Sequence, residues 1–253
     1  MGTTDIMGSE SPEMRASQRG ALEAECIDLG PSLRLPLNPS SDKLYVHYGC
    51  GFDAPESWTN FDASPTLKWE RLPILGRCYT KNKTRFPANV RYGDIVKGLP
   101  IPDSACVGVY ASHVLEHLAL DDFHTALDNT HRILEKGGIF RLVVPDLEWA
   151  AREYIRRLDT ADHEANQFFL QETMLGCKTR SRNLISCVYS WFQTSRHLWM
   201  WDIRALNTVL AKHGFGDIRR CEFHDCQDPT FEAVENHDRF RNALAVEAKR
   251  RRS

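Results

Sequence analysis

The sequence predicts an α/β fold built on a mostly parallel sheet, and two observations lead to this prediction. Strand-like segments alternate with segments of helical spacing from residue 43 onward, as in strands joined by right-handed crossovers. Residues 139–144 form an apolar run without alternation, as expected of a strand that is buried on both faces of a parallel sheet. We expect one domain over residues 41–253, preceded by a flexible arm over residues 1–40 that lacks periodicity.

The elements of this domain follow in order from apolar runs, caps and glycines. One helix is expected to begin at Asp121 or Asp122 and to end at Gly137, and a second is expected to begin after the cap Asp202. Two stretches fall outside the alternation: a basic connection over residues 66–88, and a helical, aromatic-rich insertion over residues 147–201. Strands are expected at residues 43–48, 58–62, 89–92, 106–111, 139–144, 218–223 and 244–246.

Composition narrows the classes of function. The formal net charge of −2 argues against a dedicated nucleic-acid-binding protein. The longest apolar runs are far too short to span a bilayer. Eight cysteines are scattered without a dense framework, and we interpret them as reduced thiols of a cytoplasmic protein.

Glycine and polar residues follow the first four expected strands. Gly49-Cys50-Gly51 follows the first, Asp62 the second, Asp94 the third and Ser112-His113 the fourth. In an open α/β sheet, ligands bind outside the carboxyl ends of the strands. These groups should therefore converge on one crevice.

The glycine loop alone is compatible with two cofactors, NAD and S-adenosylmethionine. Gly-x-Gly-x-x-Ala also fits the fingerprint of NAD-binding proteins, but a dinucleotide needs a helix N-terminus for its pyrophosphate. Here Pro55 follows quickly, and Asp62 comes too soon for a full helix and a strand. S-adenosylmethionine (SAM) has no phosphate and needs close backbone approach, which Gly49 and Gly51 permit. Asp62 suits its ribose hydroxyls and Asp94 its adenine amino group, although either carboxylate alone could be a turn or cap residue.

Several motifs together resemble class I SAM-dependent methyltransferases and, more narrowly, a bacterial family of predicted SAM-dependent methyltransferases that is similar to methyltransferase type 11. The resemblance covers about residues 43–250. The short loop before Trp58 departs from the wider superfamily, where a full helix intervenes. The motifs are Val46-His47-Tyr48-Gly49-Cys50-Gly51, Trp58-Thr59-Asn60-Phe61-Asp62, Gly93-Asp94, Ser112-His113-Val114-Leu115-Glu116-His117-Leu118, Arg132-Ile133-Leu134-Glu135-Lys136-Gly137-Gly138, Arg141-Leu142-Val143-Val144-Pro145-Asp146-Leu147 and His197-Leu198-Trp199-Met200-Trp201-Asp202.

This resemblance implies a Rossmann-like, seven-stranded, mostly parallel sheet with an antiparallel last strand and helices on both faces. It implies SAM as cofactor, with Ser112 and His113 near the sulfonium. The residues that we expect to bind the cofactor are His47, Gly49, Cys50, Gly51, Asp62, Asp94, Ile95, Ser112 and His113.

His113 is the candidate catalytic residue. It could act as a general base or orient the acceptor, or it could line the crevice without transferring a proton. His113-Val114-Leu115-Glu116-His117 also matches the H-x-x-E-H motif of some zinc peptidases. Because the match follows a buried strand in a nucleotide-binding context, we expect no bound metal and regard a peptidase as the weaker alternative.

The candidate acceptor-binding residues are Arg71, Trp191 and His197. Arg71 belongs to the basic connection, which could bind an anionic acceptor or be a solvated loop. The other two belong to the insertion, which could form a lid or merely cover the sheet. We predict methyl transfer to a small molecule such as a sugar, glycolipid or secondary metabolite, without nucleic-acid or membrane partners. The alternatives are a catalytically silent SAM-binding partner protein and SAM-supported chemistry other than methylation.

Overall fold

The structure is a computed structural model that describes residues 43–73, 84–176 and 196–252. These residues belong to one compact unit, Asp42–Ser253. The expected N-terminal arm over residues 1–40 and the candidate residue Trp191 lie outside the described residues.

Seven strands form one sheet in the order β3-β2-β1-β4-β5-β7-β6. The first five strands pair in parallel with their neighbours, whereas β7 pairs antiparallel with both β5 and β6. The predicted mostly parallel sheet with an antiparallel last strand is therefore confirmed. The strands are β1 (Leu44–Tyr48), β2 (Thr59–Asp62), β3 (Val90–Tyr92), β4 (Cys106–Ser112), β5 (Leu134–Pro145), β6 (Phe215–Cys221) and β7 (Ala243–Arg250).

Five α-helices accompany the sheet in the part of the chain that the structure describes. Short 3-10 helices also occur at Leu115–His117, Pro229–Val234 and His237–Phe240. None of the described helices is both long and apolar enough to cross a membrane. The α-helices are α1 (Pro65–Glu70), α2 (Leu120–Ile133), α3 (Leu147–Asp159), α4 (Ala165–Glu172) and α5 (Ile203–Lys212).

Alternation along β1 divides the core between the two faces of the sheet. Val46 and Tyr48 belong to a large apolar cluster that also contains the buried residues of α2 and α5. Tyr45 belongs to a second cluster with Trp58, Tyr110 and Phe231. The 3-10 helix that carries Phe231 thus packs on the face opposite to α2 and α5, because strand side chains alternate between faces.

Two predicted helix boundaries were wrong, and one was correct. Helix α2 begins at Leu120 after Ala119, which provides no side-chain cap, so Asp121 lies in the first turn instead. The helix ends at Ile133 rather than at Gly137, because Leu134 already pairs with Cys106 in the sheet. The predicted cap Asp202 is confirmed, since its side chain accepts hydrogen bonds from two backbone amides of α5.

A fully buried arginine fixes the connection between β6 and β7. The Arg141 guanidinium of β5 pairs with Glu235, and its Nη1 lies 3.1 Å from Glu247 Oε1 of β7. Its Nη2 donates 2.8 Å to the carbonyl of Glu222. This network anchors the connection that carries Arg239 to the carboxyl end of β4, next to Ser112.

Candidate functional site

The loop after β1 has the backbone geometry that only glycine adopts without strain. Gly49 and Gly51 have φ of +65° and +56°, in the left-handed region. A Cβ on Gly49 would lie 2.1 Å from Val114 Cγ2, whereas one on Gly51 would meet no atom within 4 Å. Gly49 therefore permits close packing with the segment after β4, and Gly51 presents bare backbone to open space.

Asp62 ties the end of β2 to the glycine loop. Its Oδ2 accepts a hydrogen bond of 3.0 Å from the Gly51 amide, and its Oδ1 accepts one of 2.7 Å from the Ser64 amide. The side chain is 9% exposed. Each carboxylate oxygen can accept a further bond, so Asp62 both shapes the loop and keeps acceptor capacity for a hydroxyl.

Asp94 and Ser112 follow the next two strands toward the same edge. Asp94 Oδ1 accepts a hydrogen bond of 3.0 Å from the Val96 amide, and its Oδ2 lies 3.4 Å from Lys97 Nζ. Ser112 ends β4 and is buried. Since β1 to β4 are parallel neighbours, their carboxyl ends bring these residues to one edge of the sheet.

These residues fit SAM. The open space above Gly51 is what close approach of a ligand to the backbone requires, and Asp62 retains lone pairs beside it. Gly51 would hold the amino-acid part and Asp62 the ribose, with Asp94 available to the adenine.

Three predicted cofactor residues have side chains that point into the core. His47 is packed against Tyr110 and Trp58, with ring centroids 5.1 and 6.4 Å away, and burial lowers its pKa to about 3. Cys50 is buried, and burial raises the pKa of its thiol to about 12. Ile95 is part of the large apolar cluster. Their side chains serve the core, and only their backbone could contact the cofactor.

His113 is held by a hydrogen bond at one of its two ring nitrogens. It has φ of +52°, and its Nε2 donates 2.8 Å to the carbonyl of Arg239. Its Nδ1 lies 3.1 Å from Glu116 Oε1. Because Nε2–H donates to a carbonyl and the Nδ1 lone pair is turned toward Glu116, this arrangement favours an orienting role over that of a base.

Glu116, His117 and His197 form a buried cluster that the sequence suggested only as a peptidase motif. Glu116 is fully buried, and neither carboxyl oxygen forms a hydrogen bond with any residue in the described ranges. The Nε2 atoms of His117 and His197 each lie 4.0 Å from Glu116 Oε1. His117 and Glu116 belong to a 3-10 turn, not to the helix of a zinc peptidase. The participation of His197 could not be read from the motif.

Of the acceptor-binding candidates within the described residues, Arg71 is exposed and His197 is buried. Arg71 Nη2 donates 2.7 Å to the carbonyl of Pro87 and 3.2 Å to that of Val90, so it fastens the segment before β3. His197 is buried, and burial lowers its pKa despite the opposing charge of Glu116. Its backbone neighbours Leu198 and Trp199 both donate to the carbonyl of Glu116.

The fold and the loop geometry define a Rossmann-like methyltransferase of class I. The family described as "Methyltransferase domain" matches residues 14–219. This match spans more than half of the chain, so the chain belongs to that family. The SAM-dependent methyltransferase class predicted from the sequence is therefore confirmed, and with it SAM as the cofactor. The match begins well before residue 43, where the sequence resemblance starts.

Several solved structures of methyltransferases are similar to the chain. A SAM-dependent methyltransferase of Thermotoga maritima, described as a possible histamine N-methyltransferase, is 16% identical, with 83% of this chain and 84% of that chain covered and a TM-score of 0.43. One from Archaeoglobus fulgidus is 16% identical, with 82% of this chain and 86% of that chain covered and a TM-score of 0.42. The phosphoethanolamine N-methyltransferase 2 of Haemonchus contortus is 11% identical, with 84% of this chain and 49% of that chain covered and a TM-score of 0.43. No curated protein matches the chain.

Proposed function

We propose that this protein transfers the methyl group of SAM to a small-molecule acceptor in the cytoplasm. The observation that carries the proposal is the glycine loop, in which Gly51 offers bare backbone next to the Asp62 carboxylate. The four described cysteines are free, which agrees with a reducing compartment.

Methyl transfer from a sulfonium is an in-line displacement with a good leaving group. SAM supplies the methyl group, and the protein has to align the acceptor atom with it and exclude water. Gly49, Gly51 and Asp62 hold the donor from the β1 and β2 side of the crevice. Ser112 and His113 lie at the end of β4, where they can orient the acceptor.

His113 acts in this proposal as a positioning residue rather than a general base. Its hydrogen bond to the Arg239 carbonyl fixes the ring, and the Arg141 network holds the connection that carries Arg239. Replacement by Asn keeps a donor but changes the reach of the side chain. We expect His113→Asn to lower kcat at all pH values, whereas loss of a base would remove a pH-dependent limb of the rate profile.

The direct test is titration of the purified chain with SAM and, separately, with NAD, in a calorimeter. We expect saturable binding of SAM and none of NAD. Asp62→Asn should weaken SAM binding by about 10-fold, because its amide retains only one acceptor oxygen. The control Asp122→Asn, in the exposed first turn of α2, should bind SAM unchanged. Binding of NAD without SAM would overturn the proposal.

An acceptor screen then separates an enzyme from a silent SAM-binding protein. Formation of S-adenosylhomocysteine is measured with panels of sugars, lipid-linked sugars and hydroxylated or amine-bearing metabolites. We expect product with at least one panel. Tight SAM binding with no turnover on any panel would favour the silent partner protein.

A further inference from the structure

We propose that Glu116, His117 and His197 bind a divalent transition metal, with zinc as the best fit. Their ligand atoms all lie within 4.8 Å of one another. This inference goes beyond the proposed methyl transfer, and it departs from the expectation, based on the sequence, that the chain holds no metal.

The carboxyl group of Glu116 carries the argument. It is fully buried, yet neither oxygen has a hydrogen-bond partner within the described ranges. Burial of a carboxylate costs several kilocalories per mole unless a counter-charge or donors compensate it. His113 Nδ1 approaches to 3.1 Å without the alignment of a hydrogen bond. A cation bound between these groups would satisfy the carboxylate.

The spacing suits a metal after a small adjustment. Zinc binds imidazole nitrogen and carboxylate oxygen at about 2.0–2.2 Å, which places tetrahedral ligand atoms roughly 3.4 Å apart. The two nitrogen atoms that face Glu116 Oε1 lie 4.0 Å from it. Side-chain rotations that move each atom by roughly half an ångström would close the set.

The hydrogen bond behind His117 fixes the tautomer that ligation needs. His117 Nδ1 donates 2.9 Å to the carbonyl of Arg196, which leaves the Nε2 lone pair directed toward Glu116. His113 is held in the corresponding way, with Nε2 donating to Arg239 and Nδ1 facing Glu116. Metal-binding histidines characteristically donate their other ring nitrogen to a carbonyl or carboxylate.

The chemistry of the ligands selects the metal. One carboxylate and two imidazoles form a set used by zinc and by other first-row divalent ions, whereas magnesium and calcium prefer oxygen ligands. Three protein ligands leave a position for a further group. The cluster follows Ser112 by four residues, so a metal here would act as a Lewis acid beside the crevice of the proposed enzyme.

Zinc and cobalt titrations of the chelator-treated full chain test the site. We expect one equivalent of Zn²⁺ to bind and Co²⁺ to give visible absorption bands, with no binding of Mg²⁺ at the same concentration. Glu116→Gln and His197→Asn should each weaken Zn²⁺ binding by at least about 100-fold. The control His237→Asn, a side chain 77% exposed and outside the cluster, should bind Zn²⁺ like the wild type.

The outcomes are decisive and independent of methyl transfer. Failure of the wild type to bind Zn²⁺, or unchanged binding by Glu116→Gln, would overturn the site. If Glu116→Gln does not fold, His117→Asn, whose side chain is 21% exposed, provides the same test. No SAM or acceptor is present, so a negative result leaves the proposed function to its own titration.

Discussion

In the part of the chain that the structure describes, we compare two buried clusters of ionisable side chains, one around Arg141 and one around Glu116, which differ in how their polar atoms are satisfied. Arg141 contacts two carboxylates, two carbonyls and the sulfur of Cys221. Glu116 lies among His113, His117 and His197, and its carboxyl oxygens form no hydrogen bond with a described residue. The polar groups of the Arg141 cluster are satisfied without a ligand, so stabilisation of the fold is sufficient to explain this cluster. The Glu116 cluster costs stability when no ligand is bound, and such unsatisfied polar groups are common at binding sites.

The largest loss of stability is expected when the Arg141 cluster is disrupted. Arg141→Met leaves the buried Glu235 carboxylate without a guanidinium and leaves Glu247 paired with Arg219 alone, and we expect a loss of about 3–5 kcal/mol in the free energy of unfolding. Denaturant titration measures this loss. Arg152→Ala removes an exposed ion pair with Glu148 and should cost less than about 1 kcal/mol. If Arg141→Met lowers the free energy of unfolding no more than Arg152→Ala does, the Arg141 cluster does not stabilise the fold.

The next effect concerns a buried histidine outside both clusters. His47 has a pKa of about 3 when folded and about 6.5 when unfolded. The unfolded chain therefore binds an extra proton between these pH values, so stability is full above about pH 6.5 and falls as the pH decreases. At pH 5.5 the loss from His47 is about 1.4 kcal/mol relative to neutral pH.

The variant His47→Phe should lack this part of the decrease in the free energy of unfolding at acidic pH. Urea unfolding at pH 7.5 and 5.5 gives the difference for the wild type and for the variant. His237→Phe, at an exposed position, should keep the wild-type slope. If His47→Phe also keeps it, His47 is protonated equally in both states and the assigned burial effect is wrong.

The smallest change in stability is expected on replacing Glu116, whose carboxyl oxygens have no hydrogen-bond partner among the described residues. In metal-free protein, Glu116→Gln removes a buried charge that lacks donors, so we expect no loss of stability or a gain of about 1 kcal/mol. The same unfolding titration, made with a chelator present, measures it. A loss as large as that of Arg141→Met would mean that Glu116 is already satisfied, and the contrast between the clusters would disappear.

The sequence predicted the sheet well because the sheet depends on local patterns. Apolar runs predicted all seven strands, and the glycine or carboxylate residues after β1, β2 and β3 predict a cofactor crevice at that edge. The sequence did not indicate that the side chains of His47 and Ile95 face the core, since a residue near a strand end can face the core or the crevice. The contact of Arg239 with Ser112 and His113 joins residues more than 120 positions apart, and no periodicity encodes it.

If the backbone around Gly51 receives SAM as proposed, alanine at this position should weaken cofactor binding. Calorimetry with S-adenosylhomocysteine is made on the wild type, Gly51→Ala and Gly137→Ala. Both glycines have positive φ, so each alanine should cost about 1–2 kcal/mol of stability, but Gly137 lies at the amino end of the central strands. We predict at least about 10-fold weaker binding for Gly51→Ala alone, because its Cβ enters the space needed for close approach. Equal affinity in Gly51→Ala and the wild type, or no binding by the wild type, would show that the backbone around Gly51 does not receive SAM.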